Sequence, residues 1–184
     1  MTTYNTSGDA ANTAVRSLLT KIGEYYLQKS FNTSSGYGKH EWNRIKKEVF
    51  GNRCAYCNGM NQKLQIEHLI MFNRTEYGLH HPGNVVPSCS DCNKRHKKNK
   101  EYVTWQEQLR RICKEKNQEN QYEIRLNKIN QHIVNENYPK LSKEEKSAIK
   151  VIAFSLYENI KNEMEKSLSL YKNLDTEFVK KEND

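Results

Sequence analysis

Two pairs of cysteines, Cys54 with Cys57 and Cys89 with Cys92, each follow a C-x2-C spacing, and 31 residues separate the pairs. Thiolates offered from two such knuckles suit a closed tetrahedral zinc site of the structural kind. Between the knuckles Glu67 and His68 stand side by side, followed by Asn84, and Asn93 directly follows the last cysteine. A zinc ribbon that only holds a fold needs no such insert, so the spacing predicts a second, polar site clamped by the metal. Glu67 offers a carboxylate and Asn93 an amide carbonyl, hard oxygen donors suited to Mg2+ or Mn2+ rather than to thiolate-bound zinc. The imidazole of His68, ordinarily titrating near neutrality, can take a proton from a water attacking a phosphodiester. A hard metal would meanwhile stabilise charge on the scissile phosphate and the leaving oxygen. Asn84 is expected to fix a hairpin or to hold the His68 ring by a hydrogen bond.

These side chains need elements to carry them. Leu64 to Ile70 alternates like a short strand, with Leu64, Ile66 and His68 on one side, and Asn84 to Pro87 reads as a second strand after a long polar loop over 73–83. A helix is expected to start near Ser90 to Asn93 and run into the lysine cluster, giving strand, loop, strand, helix: a ββα unit. Upstream, Ala14, Val15, Leu18, Leu19, Ile22, Tyr25 and Tyr26 recur at helical spacing in 12–29, and Trp42, Ile45 and Val49 or Phe50 do so in a shorter helix over 40–50. Downstream, helices are expected over 102–116 and 122–138, the second ended by Pro139. A capping box, Ser142 to Glu145, opens a long segment striped by Ile149, Ile152, Leu156, Ile160, Met164, Leu168 and Tyr171. That stripe reads as a packing seam, within the chain or across a dimer. The expected organisation is an N-terminal helical segment over 1–50, the cysteine-framed core over 51–100 and a helical region over 101–184. The fold class is α+β and mainly helical.

The chain has 184 residues and a net charge of +8, with 35% hydrophobic and 28% charged residues. So modest an apolar content leaves zinc a share in holding the fold. Residues 51–100 carry 8 Lys or Arg against 3 Asp or Glu, whereas residues 101–184 carry 15 of each. The excess therefore lies in the half with the cysteines, where Lys94, Arg95, Lys97, Lys98 and Lys100 crowd behind the last knuckle and would neutralise phosphates of a nucleic acid. No run approaches 18 apolar residues and the start lacks the charged and apolar regions of a signal peptide, so a soluble, cytoplasmic protein away from membranes is expected. Reduced thiols in that compartment favour metal over disulfides. Cys113, the fifth cysteine, reads as a small buried hydrophobe. His40 is expected at the surface or as a cap, and His80 and His81 as loop or substrate contacts.

In their order, Cys54-x2-Cys57, Glu67-His68, Asn84-Val-Val-Pro87 and Cys89-x2-Cys92-Asn93 resemble the zinc-stapled HNH endonucleases of the ββα-metal fold over roughly residues 50–100. The resemblance implies a metal-dependent endonuclease cutting DNA, with Glu67 a metal ligand, His68 the general base, Asn84 the middle residue of the motif and Asn93 the second ligand of Mg2+ or Mn2+. It also suggests a setting in bacterial restriction or antiphage defence. Many members have aspartate where this chain has Glu67 and histidine where it has Asn93, which argues for an oxygen-liganded metal here. A further histidine four residues on is replaced by Lys97, and His96, one residue out of register, is a possible addition to the site. The competing class is a non-catalytic zinc module that binds nucleic acid or protein. The flanking C-terminal helices could make a homodimer or hold a protein partner.

Overall fold

The computed structural model describes residues 6–60 and 63–179. In chain order the elements are α1 (Ser7–Leu27), α2 (Gly36–Arg44) with a π turn over Ile45–Val49, β1 (Gln65–His68), a 3-10 turn at Pro82–Asn84, β2 (Val85–Ser88), β3 (Lys97–Lys98), β4 (Glu101–Tyr102), α3 (Trp105–Glu115), a 3-10 turn at Glu119–Gln121, α4 (Tyr122–Asn135) and α5 (Lys143–Leu174), which ends in a π turn over Asp175–Val179. The protein is thus a mainly helical α+β structure with five α-helices and two small hairpins among the described residues. None of those helices is long and apolar enough to cross a membrane.

The chain divides into two compact units, one running from Leu19 to Lys140 and the other made of the residues up to Leu18 together with those from Leu141 onward. In the second, α1 buries Ala11 and Val15, and α5 buries Ile149, Ala153 and Tyr157. The Ser7 hydroxyl donates to Glu165 at 3.0 Å. The Ser142 capping box is formed in full: the Ser142 side chain accepts from the Glu145 N–H, and Glu145 reaches back to the Ser142 N–H.

The unit that carries the cysteines has one apolar core. Phe31, Trp42, Ile45 and Phe50 from the N-terminal side meet Tyr56, Leu69, Val85 and Val86 from the centre and Trp105, Leu109, Ile112 and Ile129 from α3 and α4. Cys113 belongs to this core, as expected of a small hydrophobe. β1 and β2 pair antiparallel with Glu67 opposite Val86 and His68 opposite Val85. Along β1 it is Glu67 that points inward, with Leu69 beyond it, while Ile66 and His68 share the half-buried face. Two residues of α4 hold the centre from behind. Arg125 donates to the Tyr56 carbonyl at 2.8 Å, and His132 Nε2 lies 3.1 Å from the Pro82 carbonyl and 3.0 Å from that of Val85.

One expected element is absent. Residues 90–100 form no helix: a turn closes the second knuckle, and Lys97–Lys98 pairs antiparallel with Glu101–Tyr102. Asn99 and Lys100 between those strands both have positive φ, 52° and 69°, the backbone of a tight two-residue hairpin turn. Gln108 of α3 explains why the preceding stretch does not wind up. Its amide donates to the carbonyls of Cys92 and Lys94 and accepts from the His96 N–H, supplying from a distance the bonds a helix would have made internally.

Candidate functional site

The four cysteines converge. All are buried and none is in a disulfide, and their sulfurs lie within 4.8 Å of one another. Cys57 Sγ and Cys89 Sγ are 3.9 Å apart; a tetrahedron with Zn–S bonds of ~2.3 Å has edges of about 3.8 Å, so the cluster has the size of a structural zinc site. Each knuckle is a closed turn, with the Asn58 N–H on the Cys54 carbonyl and the Asn93 N–H on that of Cys89. The Gly59 N–H donates to Cys57 Sγ, and the Ala55 N–H donates to the Pro87 carbonyl, pinning the first knuckle to β2. The Cys57 and Cys92 thiols directed at Cys54 hold its sulfur well below the usual thiol range, and Cys57 in turn is pushed up to about 11 by Cys54. One thiolate is thus favoured already, and a bound cation would draw the remaining protons off.

His68 ends β1 half-buried. Its ring stacks on Phe72, with centroids 4.7 Å apart at 15°, and its Nε2 lies 2.9 Å from His80 Nδ1. Asn84 does not reach the His68 ring. Its Oδ1 accepts from the Ile70 N–H, and its Nδ2 donates to the carbonyls of Ile70 and Leu79. The middle asparagine therefore clamps the two ends of the loop that supplies Phe72 and His80, and its backbone carbonyl takes the Leu69 N–H. His81 lies buried in this clamp and accepts from the Gly83 N–H, and burial, with His80 beside it, holds its ring neutral with a pKa of about 4. His80 and His81, expected as loop contacts, are built into the framework.

Glu67 and Arg95 form a buried ion pair. The guanidinium donates twice to Glu67 Oε1, and its remaining donors go to the carbonyls of His68, Leu69 and Val103. The Tyr56 hydroxyl donates to the same Glu67 oxygen at 3.4 Å. Burial pushes the Glu67 carboxyl up, against the pull of Arg95 and the Tyr56 hydroxyl. Arg95 was grouped with the phosphate-facing residues on its place in a basic run. It turns inward because a carboxylate buried at Glu67 needs a partner, and no spacing in the sequence announces that pairing.

Asn93 is half-buried and donates to Gln65 Oε1 at 2.8 Å. No described contact joins it to Glu67, and a cation on Glu67 Oε1 would have to displace a guanidinium. Among the described residues the cysteines are also the one group of three or more His, Cys, Asp or Glu side chains brought together as a metal site. The donors thus fit zinc at the cysteines and, as arranged, do not fit a second, hard cation at Glu67 and Asn93. His96 is exposed, with its N–H donating to Gln108 Oε1 and its carbonyl accepting from the Val103 N–H. Lys94, Lys97, Lys98 and Lys100 are exposed on and beside the hairpin of β3 and β4, with Lys97 Nζ 4.5 Å from the centroid of the Tyr102 ring.

Twelve residues and an irregular loop separate His80 from His68, so no spacing in the sequence marks the meeting of their rings. The aromatic at Phe72 and the doublet of His80 and His81 were the available hints. No model of a protein family matches the chain, no curated protein matches it, and no solved structure matches it.

Proposed function

We propose that the chain is an endonuclease of the HNH kind that hydrolyses phosphodiester bonds of DNA, with His68 as the general base. The observation that supports this best is the placement of His68 at the end of a hairpin stapled to the cysteine cluster, its ring held by Phe72 and His80 and its loop clamped by Asn84. An imidazole so fixed can take the proton of a water attacking phosphorus without first being ordered. The order β1, β2 and then α3 supports the ββα part of this reading, although the lysine hairpin stands where its helix was expected. The exposed Lys97, Lys98 and Lys100 of that hairpin support contact with DNA phosphates, which would hold the backbone without reading bases. Zinc at the four cysteines would be structural.

The chemistry that Mg2+ or Mn2+ brings to such reactions is charge neutralisation at the phosphate. Because Arg95 occupies Glu67, the reading rests on His68 and on the lysines, and the assay supplies the cation. Exposed Met164, Leu168 and Tyr171 along α5 support a homodimer or a protein partner there, and restriction or antiphage defence is the setting the resemblance suggests.

The Glu67–Arg95 pair favours a second reading, a zinc-stabilised module that binds DNA without cutting it, because a neutralised carboxylate is poorly suited to hold a catalytic cation. One experiment separates the two. Wild-type protein should nick or cut plasmid DNA in Mg2+ or Mn2+, and His68→Ala should lose about 10²–10⁴-fold of that rate while keeping zinc, fold and DNA affinity. DNA binding without cleavage by the wild type in any divalent cation would establish the second reading, and full activity in His68→Ala would remove His68 as the base.

A further inference from the structure

One face of α4 lines a cleft of about 390 Å³. Lys128, Gln131, His132, Asn135 and Glu136 recur there at steps of three and four residues, and Arg44, at the end of α2, completes the polar lining. The cleft shares no lining residue with the cysteine cluster or with the group of His68, Phe72 and His80.

His132 gives the cleft its chemistry. Its side chain is wholly buried, and its Nε2 lies 3.1 Å from the Pro82 carbonyl and 3.0 Å from that of Val85. Carbonyls only accept, so Nε2 carries the hydrogen. Burial pushes the pKa of the ring down and keeps it neutral, which leaves Nδ1 as a lone pair. No described residue gives that lone pair a donor. Glu136 Oε1, 3.9 Å away, is itself an acceptor. Buried polar atoms are nearly always paired, so an acceptor left over in a cleft marks a place for a donor brought from outside.

The surrounding groups say what that donor belongs to. The Arg44 guanidinium donates to Glu41 and to Glu136 Oε1, and no described contact uses Arg44 Nη1 or Glu136 Oε2. A group between Nδ1 and Glu136 meets a lone pair and a carboxylate together, which an ammonium with several N–H bonds satisfies. Lys128, held over the Phe50 ring at 5.4 Å from its centroid, and the exposed Gln131 and Asn135 amides offer donors suited to a carboxylate. Arg44 and Lys128 balance Glu41 and Glu136, so the site favours neither a bare anion nor a bare cation.

We propose that this cleft binds a small zwitterion of the α-amino acid class, its ammonium between His132 Nδ1 and Glu136 and its carboxylate on Lys128 and Arg44. The inference stands apart from the nuclease reading. An occupant would still be felt at the centre. A hydrogen accepted at Nδ1 polarises the ring and strengthens its Nε2–H bonds to Pro82 and to Val85, the residue that pairs with His68.

Titration of the zinc-loaded, full-length protein with each of the common α-amino acids, followed by calorimetry and by 1H–15N spectra of the imidazole rings, tests this. Free protein should show His132 protonated at Nε2 with a pyridine-type Nδ1. At least one amino acid should bind at a single site and shift the Nδ1 resonance upfield as it accepts a hydrogen. Its N-trimethyl form, which has no N–H, and its amide, which has no carboxylate, should bind at least about 10-fold more weakly. The same loss is expected for the amino acid itself in Lys128→Met, a change at an exposed position. His132→Phe removes Nδ1 together with the bonds to Pro82 and Val85, so Lys128→Met carries the test if that variant does not fold. If no amino acid moves the Nδ1 resonance, water is its only donor and the proposal is overturned. Equal binding of the N-trimethyl form, unchanged affinity in Lys128→Met, or a hydrogen on Nδ1 in the free protein would overturn it as well. A protein that cuts no DNA would leave this site untouched, and loss of this site would leave cleavage to its own assay.

Discussion

Replacing Arg95 by methionine should expose how the centre is held. The Arg95 side chain is 2% exposed and that of Glu67 10%, so water cannot take over what the guanidinium does. The substitution strands a buried carboxylate and withdraws donors from the carbonyls of His68, Leu69 and Val103. Breaking a buried ion pair by removing one partner costs about 3–5 kcal/mol. Glu67 can limit the loss by taking up a proton. Without Arg95 its folded pKa lies further above the unfolded value, so the penalty is complete above the folded pKa and fades as pH falls through it. Urea unfolding followed by circular dichroism in zinc-containing buffer should therefore show Arg95→Met losing about 3–5 kcal/mol near pH 7.5. The gap to wild type should narrow towards pH 5, and Arg95→Met with Glu67→Gln should be more stable than Arg95→Met alone. A loss below about 1 kcal/mol, the range of exposed pairs, or a double variant as unstable as the single one, would refute the buried pair as described here.

Metal analysis should find one tightly held zinc per chain, and Cys89→Ser should lose it together with cooperative unfolding, because the binding energy of such a site rivals the whole stability of a small domain. Asn84→Ala deletes one accepted and two donated hydrogen bonds and should cost about 2–4 kcal/mol, with faster hydrogen exchange at the Ile70 amide; unchanged exchange there would contradict the clamp. Replacing Lys97, Lys98 and Lys100 together by alanine should weaken DNA binding alike for all sequences and reduce the slope of log K against log salt by about 2 to 3, and an unchanged slope would move the DNA surface elsewhere.

Helices were legible wherever an apolar stripe or a cap announced them. The 122–138 segment ends three residues early in α4, with Asn137 at positive φ before Pro139, and the box at Ser142 opens α5 where expected. Both strands of the central hairpin lie within a residue or two of their expected places. The run from Lys94 to Lys100 was misread as helix because it has no apolar period, and what shapes it is Gln108, more than ten residues away. The centre was legible in its residue types and less so in its pairings. The spacing of the cysteines points to a cluster, but nothing local marks Arg95 for Glu67 or His80 for His68, since buried charge and ring contacts are settled by tertiary packing. A carboxylate and an amide in the right order do not make a cation site unless the fold turns both towards one point.

The loop between β1 and the 3-10 turn is tied from tip to mouth by Glu76, whose carboxylate accepts from the Met71 N–H at 3.2 Å. Gly78 closes the mouth, where a Cβ would stand 2.0 Å from the Ile70 carbonyl oxygen, and its N–H donates to the Met71 carbonyl. The tip folds on itself, with Asn73 Oδ1 accepting from Thr75 and Glu76, and with Arg74 and Thr75 exposed. A change at the tip that displaces Glu76 is therefore passed to Met71 and to the Phe72 ring beside it. An insertion between Arg74 and Thr75 would part Asn73 from Thr75 and Glu76, so the loop tolerates a graft there only at the cost of the turn that anchors Met71.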